Sequence, residues 1–450
     1  MNKSNVKERI QLSDHFTYKK LFKFVIPSIV MMVFVSIYGV VDGYFVSNYV
    51  GKVPFAAINL IMPFLIILGG FGFMLGTGGS ALVSKTLGEK DSVKANKIFT
   101  LMILVTFALG IILTVLGIVF IRDIAYLFKA TDEMIDDCVA YGTVVLIFNV
   151  AFMLQNVFQS FFITAEKPKL GLIITVIAGV TNMILDWLFI AVFSWGVKGA
   201  ALATGLSQVV GAIIPVVYFS LPNNSLLRFS KPTFDIKTIL KACGNGSSEL
   251  MSNISSSLVS IVYNFQLMKY IGENGVAAYG TIMYVQFVFA AIFIGYSIGA
   301  APIVGYNYGA KNDSELKNIF KKSVKIMLTF GILMLLSAIL LSSTFANIFV
   351  GYDKELYDLT VHAFHLFALS FVFAGFNIFI SSFFTALNNG IVSAIVSFLR
   401  TLVFQLVCVM ILPTIFDING IWWSISVAEL LAFIVSIIFV IAKRKKYNYI

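Results

Sequence analysis

Residues 55–99 read FAAINLIMPFLIILGGFGFMLGTGGSALVSKTLGEKDSVKANKIF, and residues 276–320 read VAAYGTIMYVQFVFAAIFIGYSIGAAPIVGYNYGAKNDSELKNIF. Laid over each other without a gap, they share Ala56/Ala277, Ala57/Ala278, Ile61/Ile282, Met62/Met283, Gly78/Gly299, Gly88/Gly309, Lys90/Lys311, Ile98/Ile319 and Phe99/Phe320. The same 221-residue offset pairs Gly51 with Gly272, Thr164 with Thr385, Ala165 with Ala386 and Gly199 with Gly420. Scattered matches arise by chance, but one unbroken offset across most of a half points to an internal duplication.

The duplicated stretches are apolar, and so is the chain. Of its 450 residues 59% are apolar and 12% charged, against roughly 25% charged in soluble domains. Mean hydropathy is +0.93. Twelve runs are long enough to cross a bilayer, which takes about 20 apolar residues. They fall at 22–48, 54–84, 98–121, 138–163, 169–194, 199–220, 245–269, 276–305, 324–349, 359–386, 391–415 and 420–442. Met1–Lys23 is polar and charged and does not read as a cleavable signal. The expected fold is therefore an all-α polytopic membrane protein. Its twelve transmembrane helices form two six-helix bundles, residues 1–220 and 245–450, joined by a linker at 221–244. Six is an even number, so both halves enter from one side. The repeat is then parallel, with its pseudo-two-fold axis along the membrane normal and a central cavity between the bundles. Such a pair gives alternating access when one bundle rocks against the other.

Lysine and arginine set the orientation. With the N-terminus in the cytoplasm, cytoplasmic segments hold 25 of the 32 basic residues: the N-terminal tail, the loops near 85–97, 166–169, 221–244 and 306–325, and the tail KRKK at 443–446. The other side holds Lys52, Arg122, Lys129, Lys198, Lys269 and Lys354, and Arg400 lies within span 11. Both termini are expected to be cytoplasmic. This asymmetry accounts for the net charge of +10 without a nucleic-acid partner. Cys138, Cys243 and Cys408 have no CxxC spacing and carry no disulfide, metal or redox role.

Four carboxylates fall within spans: Asp42, Asp186, Glu249 and Glu429. An acid at the centre of a membrane helix costs about 2.5–3.5 kcal/mol, so it normally faces a cavity or a partner. Asp42, Asp186 and Thr204 lie at one depth, roughly 9–13 Å below the outer surface at 1.5 Å per residue. Asn182 precedes Asp186 by one turn on the same helix face. Two carboxylates, an amide and a hydroxyl form an oxygen-lined site for a proton or a small hard cation. At the 221 offset, Tyr263 stands for Asp42, Val407 for Asp186 and Val403 for Asn182, so only the first half carries the cluster. Glu249 begins span 7, where an acid in a first helical turn also complements the helix dipole. Glu429 lies mid-span and serves either transport or helix pinning, with Arg400 as its candidate partner. His362 and His365 read as interface histidines. Pro27, in VIPSIV (25–30), is a candidate hinge on the helix that carries Asp42.

At these residues the sequence resembles the multidrug and toxic compound extrusion (MATE) transporters, and most closely the MepA-like bacterial branch. The likeness is carried by VIPSIV, VVDGYFVSNYVG (40–51), GTGGSALVSKTLGEKD (76–91), TNMILDWLFI (181–190), GVKGAALATGLSQ (196–208) and GAAPIVGYNYGAKN (299–312). It implies export of amphipathic, often cationic compounds, driven by inward Na⁺ or H⁺ flow, with no cofactor. It also implies a multi-pass monomer surrounded by lipid in a bacterial plasma membrane. The family's first-half cation site maps onto Asp42, Asn182, Asp186 and Thr204, and its bending proline onto Pro27. Its second-half acids lie on spans 7 and 10. Glu249 matches the first, whereas span 10 contains no acid and Asp358 falls just outside it.

Three other readings are open. A lipid-linked oligosaccharide flippase shares the architecture but needs basic groups in its cavity, and only Arg400 lies deep in a span. A membrane acyl transferase needs a histidine–acid constellation, and the chain has only His15, His362 and His365. A non-transporting receptor is separated from a transporter only by flux.

Overall fold

In a computed structural model that describes residues 10–450, the twelve spans are helices in chain order. Residues 1–9, with Lys3, Lys7 and Arg9 of the basic tail, lie outside the described residues. The first bundle holds α1 (Tyr18–Tyr49), α2 (Lys52–Gly88), α3 (Ser92–Leu127), α4 (Asp132–Ile147 and Asn149–Thr164), α5 (Pro168–Asp186, continued by a π-helical turn, Trp187–Val192) and α6 (Gly196–Ser220). The second holds α7 (Ile236–Tyr270), α8 (Glu273–Gly309), α9 (Asp313–Leu340), α10 (Lys354–Phe367 and Ser370–Ala386), α11 (Gly390–Phe398, a π-helical turn at Leu399–Val403, then 404–415) and α12 (418–447).

Eight helical runs are long and apolar enough to cross a membrane, and two bent pairs each make one more. The run from Gly390 to Tyr447 breaks at Phe416 and Asp417, where Asp417 takes φ 48°, and so supplies two crossings. The twelfth, α7, carries Ser248, Ser252, Asn253, Ser255 and Ser256 on a helix otherwise built like the rest.

The duplication is visible in the geometry. The bends in α4 and α10 are 53° and 49°. Asp91 and Asn312, one offset apart, both cap helices: Asp91 accepts from the Lys94 N–H and Asn312 from the Glu315 N–H. Lys90 and Lys311 before them take φ 65° and 55°, and Gly51 and Gly272 also take positive φ. An unbranched or Gly/Asn residue meets the left-handed turn at least cost, and the same turn recurs in each half.

Several helices start before their expected boundaries, among them Asp313–Leu340, which a short helix, Ser342–Val350, follows where one span to 349 is expected, and two of the shifts bear on the acids. Span 7 begins at Ile236, not 245, because Asp235 caps it by accepting from the Lys237 N–H at 3.0 Å. Lys237 and Lys241 make the first turns polar, and hydropathy alone passes over them. Glu249 therefore lies deep in the helix, beyond the reach of the N-terminal dipole, which does not account for it. Span 10 begins at Lys354 under the Asp353 cap, so Asp358 is inside the helix, although exposed at its end. Pro27 sits within an unbroken α1.

The bundles close on each other at the lysine-rich end. There α1 packs along α8 and α7 along α2. Backbones meet at glycines: a methyl at Gly78 would sit 2.7 Å from the Gly246 nitrogen, and one at Gly295 would sit 2.6 Å from the Ile29 Cα. Two peptide straps lie at this end. In the first, Leu12 and Phe16 are fully buried. The Leu12 N–H donates to Glu166 Oε1 at 2.7 Å in the first bundle, and the Phe16 N–H to Glu315 Oε1 at 2.9 Å in the second. His15 Nδ1 meets Glu315 Oε2 at 2.6 Å, and Lys322 donates to the Phe16 carbonyl at 2.6 Å. The second strap is the linker. Leu227 is fully buried, the Arg228 N–H donates to Asn96 Oδ1 at 2.7 Å, and the Ser230 N–H to Thr100 Oγ1 at 3.0 Å, both on α3. Each strap precedes a helix that packs along a helix of the opposite bundle.

Candidate coupling site

Near the other end, α1, α4, α5 and α6 bring together the residues expected from the sequence. Asp186 is fully buried and Asn182 is 2% exposed, one turn apart on α5. The π-helical turn begins directly after Asp186, a departure from the α-ladder often found at functional sites. Asp42 comes across from α1. The two carboxyl groups face each other within hydrogen-bonding range. Asp42 Oδ1 and both Asp186 oxygens are buried without a hydrogen-bond partner. The same holds for both amide atoms of Asn182 and for Thr204 Oγ1. Buried polar groups are ordinarily paired, so this cluster of unpaired atoms stands apart from the packing around it and is the candidate site.

Three neighbours escaped sequence reasoning. Tyr141 on α4 is 2% exposed. Its hydroxyl approaches Thr204 without a well-formed hydrogen bond, and it lies within electrostatic range of both acids. Tyr38, one turn before Asp42, also lies in range of that acid. Gln208, one turn after Thr204, has an unpartnered Oε1. Gln208 was detectable, since the 221 offset sets it against Glu429.

The second bundle differs at both levels. Tyr263, in the place of Asp42, is 1% exposed and stacks on Tyr279 with ring centroids 5.3 Å apart. Val407, in the place of Asp186, is exposed. Glu429 has the partner that sequence could only suggest. Arg400 Nε donates to its two oxygens at 2.9 and 3.0 Å, and Nη2 lies 2.9 Å from Oε1. Asn377 donates to Glu429 Oε2 at 2.8 Å and accepts from Ser436 at 3.1 Å. The ion pair lines a narrow cleft with Gln286, Phe293 and Phe371. Glu249 lines a small chamber between the bundles, walled by the hydroxyls of Thr77, Ser80, Ser160, Ser382 and Thr385. It lies within electrostatic range of Arg400. His362 bonds Asn419 at 2.7 Å and His365 bonds Ser342 at 3.2 Å, as interface histidines do.

Two helical bundles around a cleft, with unpaired acids buried in one of them, define a membrane transporter rather than an enzyme. The MatE family model matches residues 27–188 and 237–411, and the chain belongs to that family. It is 26% identical over 439 residues to the multidrug export protein MepA of Staphylococcus saprophyticus, covering 95% of this chain and 94% of that one. It is 24% identical over 434 residues to MepA of Staphylococcus aureus strain MSSA476, with the same coverage. Among solved structures, a multidrug resistance MATE family transporter in an outward-facing conformation superposes with a TM-score of 0.92 at 21% identity, over 98% of this chain and 99% of that one. MATE in complex with MaL6 gives 0.91 at 21% identity, over 97% and 98%.

Proposed function

We propose that this chain is a cation-coupled antiporter that exports amphipathic, cationic compounds by alternating access across a bacterial plasma membrane, with both termini and the linker in the cytoplasm. The single observation that carries the reading is the pair of a partly buried Asp42 and a fully buried Asp186, facing each other without a basic partner. Two like charges in a poorly polarisable site repel, and a proton or Na⁺ that enters relieves the repulsion and draws α1 onto α5. Asn182, Thr204 and Tyr141 supply further oxygens. In this reading the seam at the lysine-rich end closes the cytoplasmic side, and the cation arrives from outside. It rearranges α1, α5 and α6, with bending at Pro27, and releases the exported compound outward. Glu249, the single acid of the inter-bundle chamber, meets the cationic group of the compound on its way. The first bundle, the linker and the second bundle act as the moving bodies and their tether. The relatives named multidrug export proteins support the substrate class. A lipid-linked oligosaccharide flippase is disfavoured because the one guanidinium deep in a span, Arg400, is already paired with Glu429.

The test is flux in proteoliposomes with Na⁺ and pH gradients imposed separately. Efflux of a lipophilic cation should follow at least one gradient, and Asp42→Asn should abolish coupled efflux while the protein stays folded and inserted. Wild-type efflux from Asp42→Asn would falsify the reading.

A further inference from the structure

The 221 offset aligns more than the helices. Asn377 falls on Asn156, Glu429 on Gln208 and Arg400 on Gly179. The same framework thus carries a neutral set in the first bundle and a charged set in the second. Where glutamine becomes glutamate, glycine becomes arginine, so acid and base enter together. In the first bundle, Asn156 Nδ2 and Gln208 Oε1 are buried without partners. In the second, the corresponding amide and carboxylate are joined at 2.8 Å and the guanidinium closes on both carboxylate oxygens. Glu429 is 3% exposed and Asn377 is fully buried. Arg400 rides on the π-helical turn Leu399–Val403, whereas the first bundle keeps regular α-helix at that level and places its π-helical turn after Asp186. An extra residue in a helical turn rotates the rest of the helix beyond it, so each bundle has a turn spent on presenting its charged group.

We propose that Arg400 is a tethered counter-cation. It fills at Glu429 the role that a free cation fills at Asp42 and Asp186, so that only the first bundle exchanges ions with the surroundings. This deepens the antiporter reading and rests on it for the identity of the first-bundle site. The geometry fits the role. A carboxylate buried to this degree needs a cation or a proton, and a guanidinium matches its two oxygens in a fork that a lysine cannot reproduce. The ion pair also borders the cleft with Gln286, whose Oε1 is buried without a partner. A small cation released into that cleft would find oxygen ligands beside Glu429 once the guanidinium is gone.

The experiment counts cations on the purified full chain. Na⁺ is titrated calorimetrically at alkaline pH, and proton uptake on acidification is followed with an indicator dye. Arg400→Gln should bind one more cation per chain than wild type, as Na⁺ or as a proton. Arg400→Gln/Glu429→Gln, which restores the neutral character of the first bundle, should lose that gain. Arg400→Lys, still a tethered cation, should show none. Glu429→Gln alone should leave the wild-type count intact, which keeps the test open if Arg400→Gln does not fold. A helix pin and nothing more would lower the thermal midpoint of Arg400→Gln without any new cation, and that result overturns the proposal. Loss of a wild-type cation in Glu429→Gln overturns it too. Failure of the antiporter reading shows elsewhere, as a wild-type count that Asp42→Asn does not change.

Discussion

The seam at the lysine-rich end offers a direct way to shift the protein between its two faces. Gly309 on α8 lies against Lys85 on α2, and a methyl there would sit 2.8 Å from the Lys85 carbonyl carbon and 3.0 Å from its Cα. Gly88, its repeat partner, lies against the other helix in the same way, 2.8 Å from the Ala310 nitrogen and 2.9 Å from the Tyr306 carbonyl carbon. These neighbours are backbone atoms of long helices and cannot turn aside as a side chain can. The helices must part by several tenths of an ångström or more along a seam that also holds Gly78 and Gly246. Overpacking of this kind costs about 1–3 kcal/mol. The contact exists only while this end is closed, so the whole cost falls on the closed state and the equilibrium moves toward opening by roughly 5–150-fold. Gly309→Ala is the perturbation. Spin labels at Val93→Cys and Ser314→Cys, exposed positions one offset apart on α3 and α9, report the separation by pulsed electron resonance after Cys243 has been replaced. The variant should populate a longer distance that wild type lacks. Gly88→Ala should do the same, and the double variant should fall short of the sum because both act on one contact. A folded Gly309→Ala protein with the wild-type distance distribution would refute the argument that this seam closes one of the two states.

Three further outcomes are expected from separate parts of the molecule. Glu315→Ala removes the acceptor shared by the Phe16 N–H, His15 and Asn318, so the first strap should detach and residues 10–17 should be cut by protease faster than in wild type. Tyr141→Phe leaves the ring packed but deletes a hydroxyl worth about 1 kcal/mol as one hydrogen bond; the Na⁺ or proton concentration for half-maximal efflux should rise about 5-fold with the maximal rate little changed. The Asp235 carboxyl is held below its ordinary value, first by the Thr238 hydroxyl and then by the Lys237 amide and charge. A depressed carboxylate stabilises the fold above its unfolded value and loses that contribution as pH falls through the folded one. The first turn of α7 should therefore exchange its amide hydrogens faster in acid, and Asp235→Asn should flatten that pH dependence.

The sequence made the number of helices, their grouping and the first-bundle acids legible, because hydropathy, basic loops and a fixed offset are local or periodic signals. Asp42, Asn182, Asp186 and Thr204 stood out for the same reason: each is a polar residue inside an apolar run. Tyr141 did not, since a tyrosine in a helix is ordinary until three other helices converge on its hydroxyl. The start of α7 was missed because Lys237 and Lys241 hide a capped helix from a hydropathy window, and Glu249 was misplaced with it. The Glu429–Arg400 bond joins residues 29 positions apart on two helices, and only packing decides whether such residues meet. The straps were invisible for a related reason: buried Leu12, Phe16 and Leu227 sit in short polar segments, and the hydrogen bonds that they and their neighbours make reach residues more than a hundred positions away.

The pattern of what the halves share has its origin in the same geometry. Identities between the repeats gather in α2 and α8 because these helices approach each other across the pseudo-two-fold axis, with Gly88 against Tyr306 and Gly309 against Lys85. Any side chain added to one face of such a seam must be accommodated by its symmetry mate, so the small residues are held alike on both sides. Away from the axis the constraint lapses. One bundle carries two unpaired carboxylates where the other has a stacked tyrosine, and an Arg–Glu pair stands where the first has glycine and glutamine. A rocking pair of bundles needs matched surfaces where they touch, but it needs an ion to act on only one of them. Under the proposed coupling, α1 carries Asp42 and also packs along α8, so a binding event confined to the first bundle would reach the shared seam through a single element.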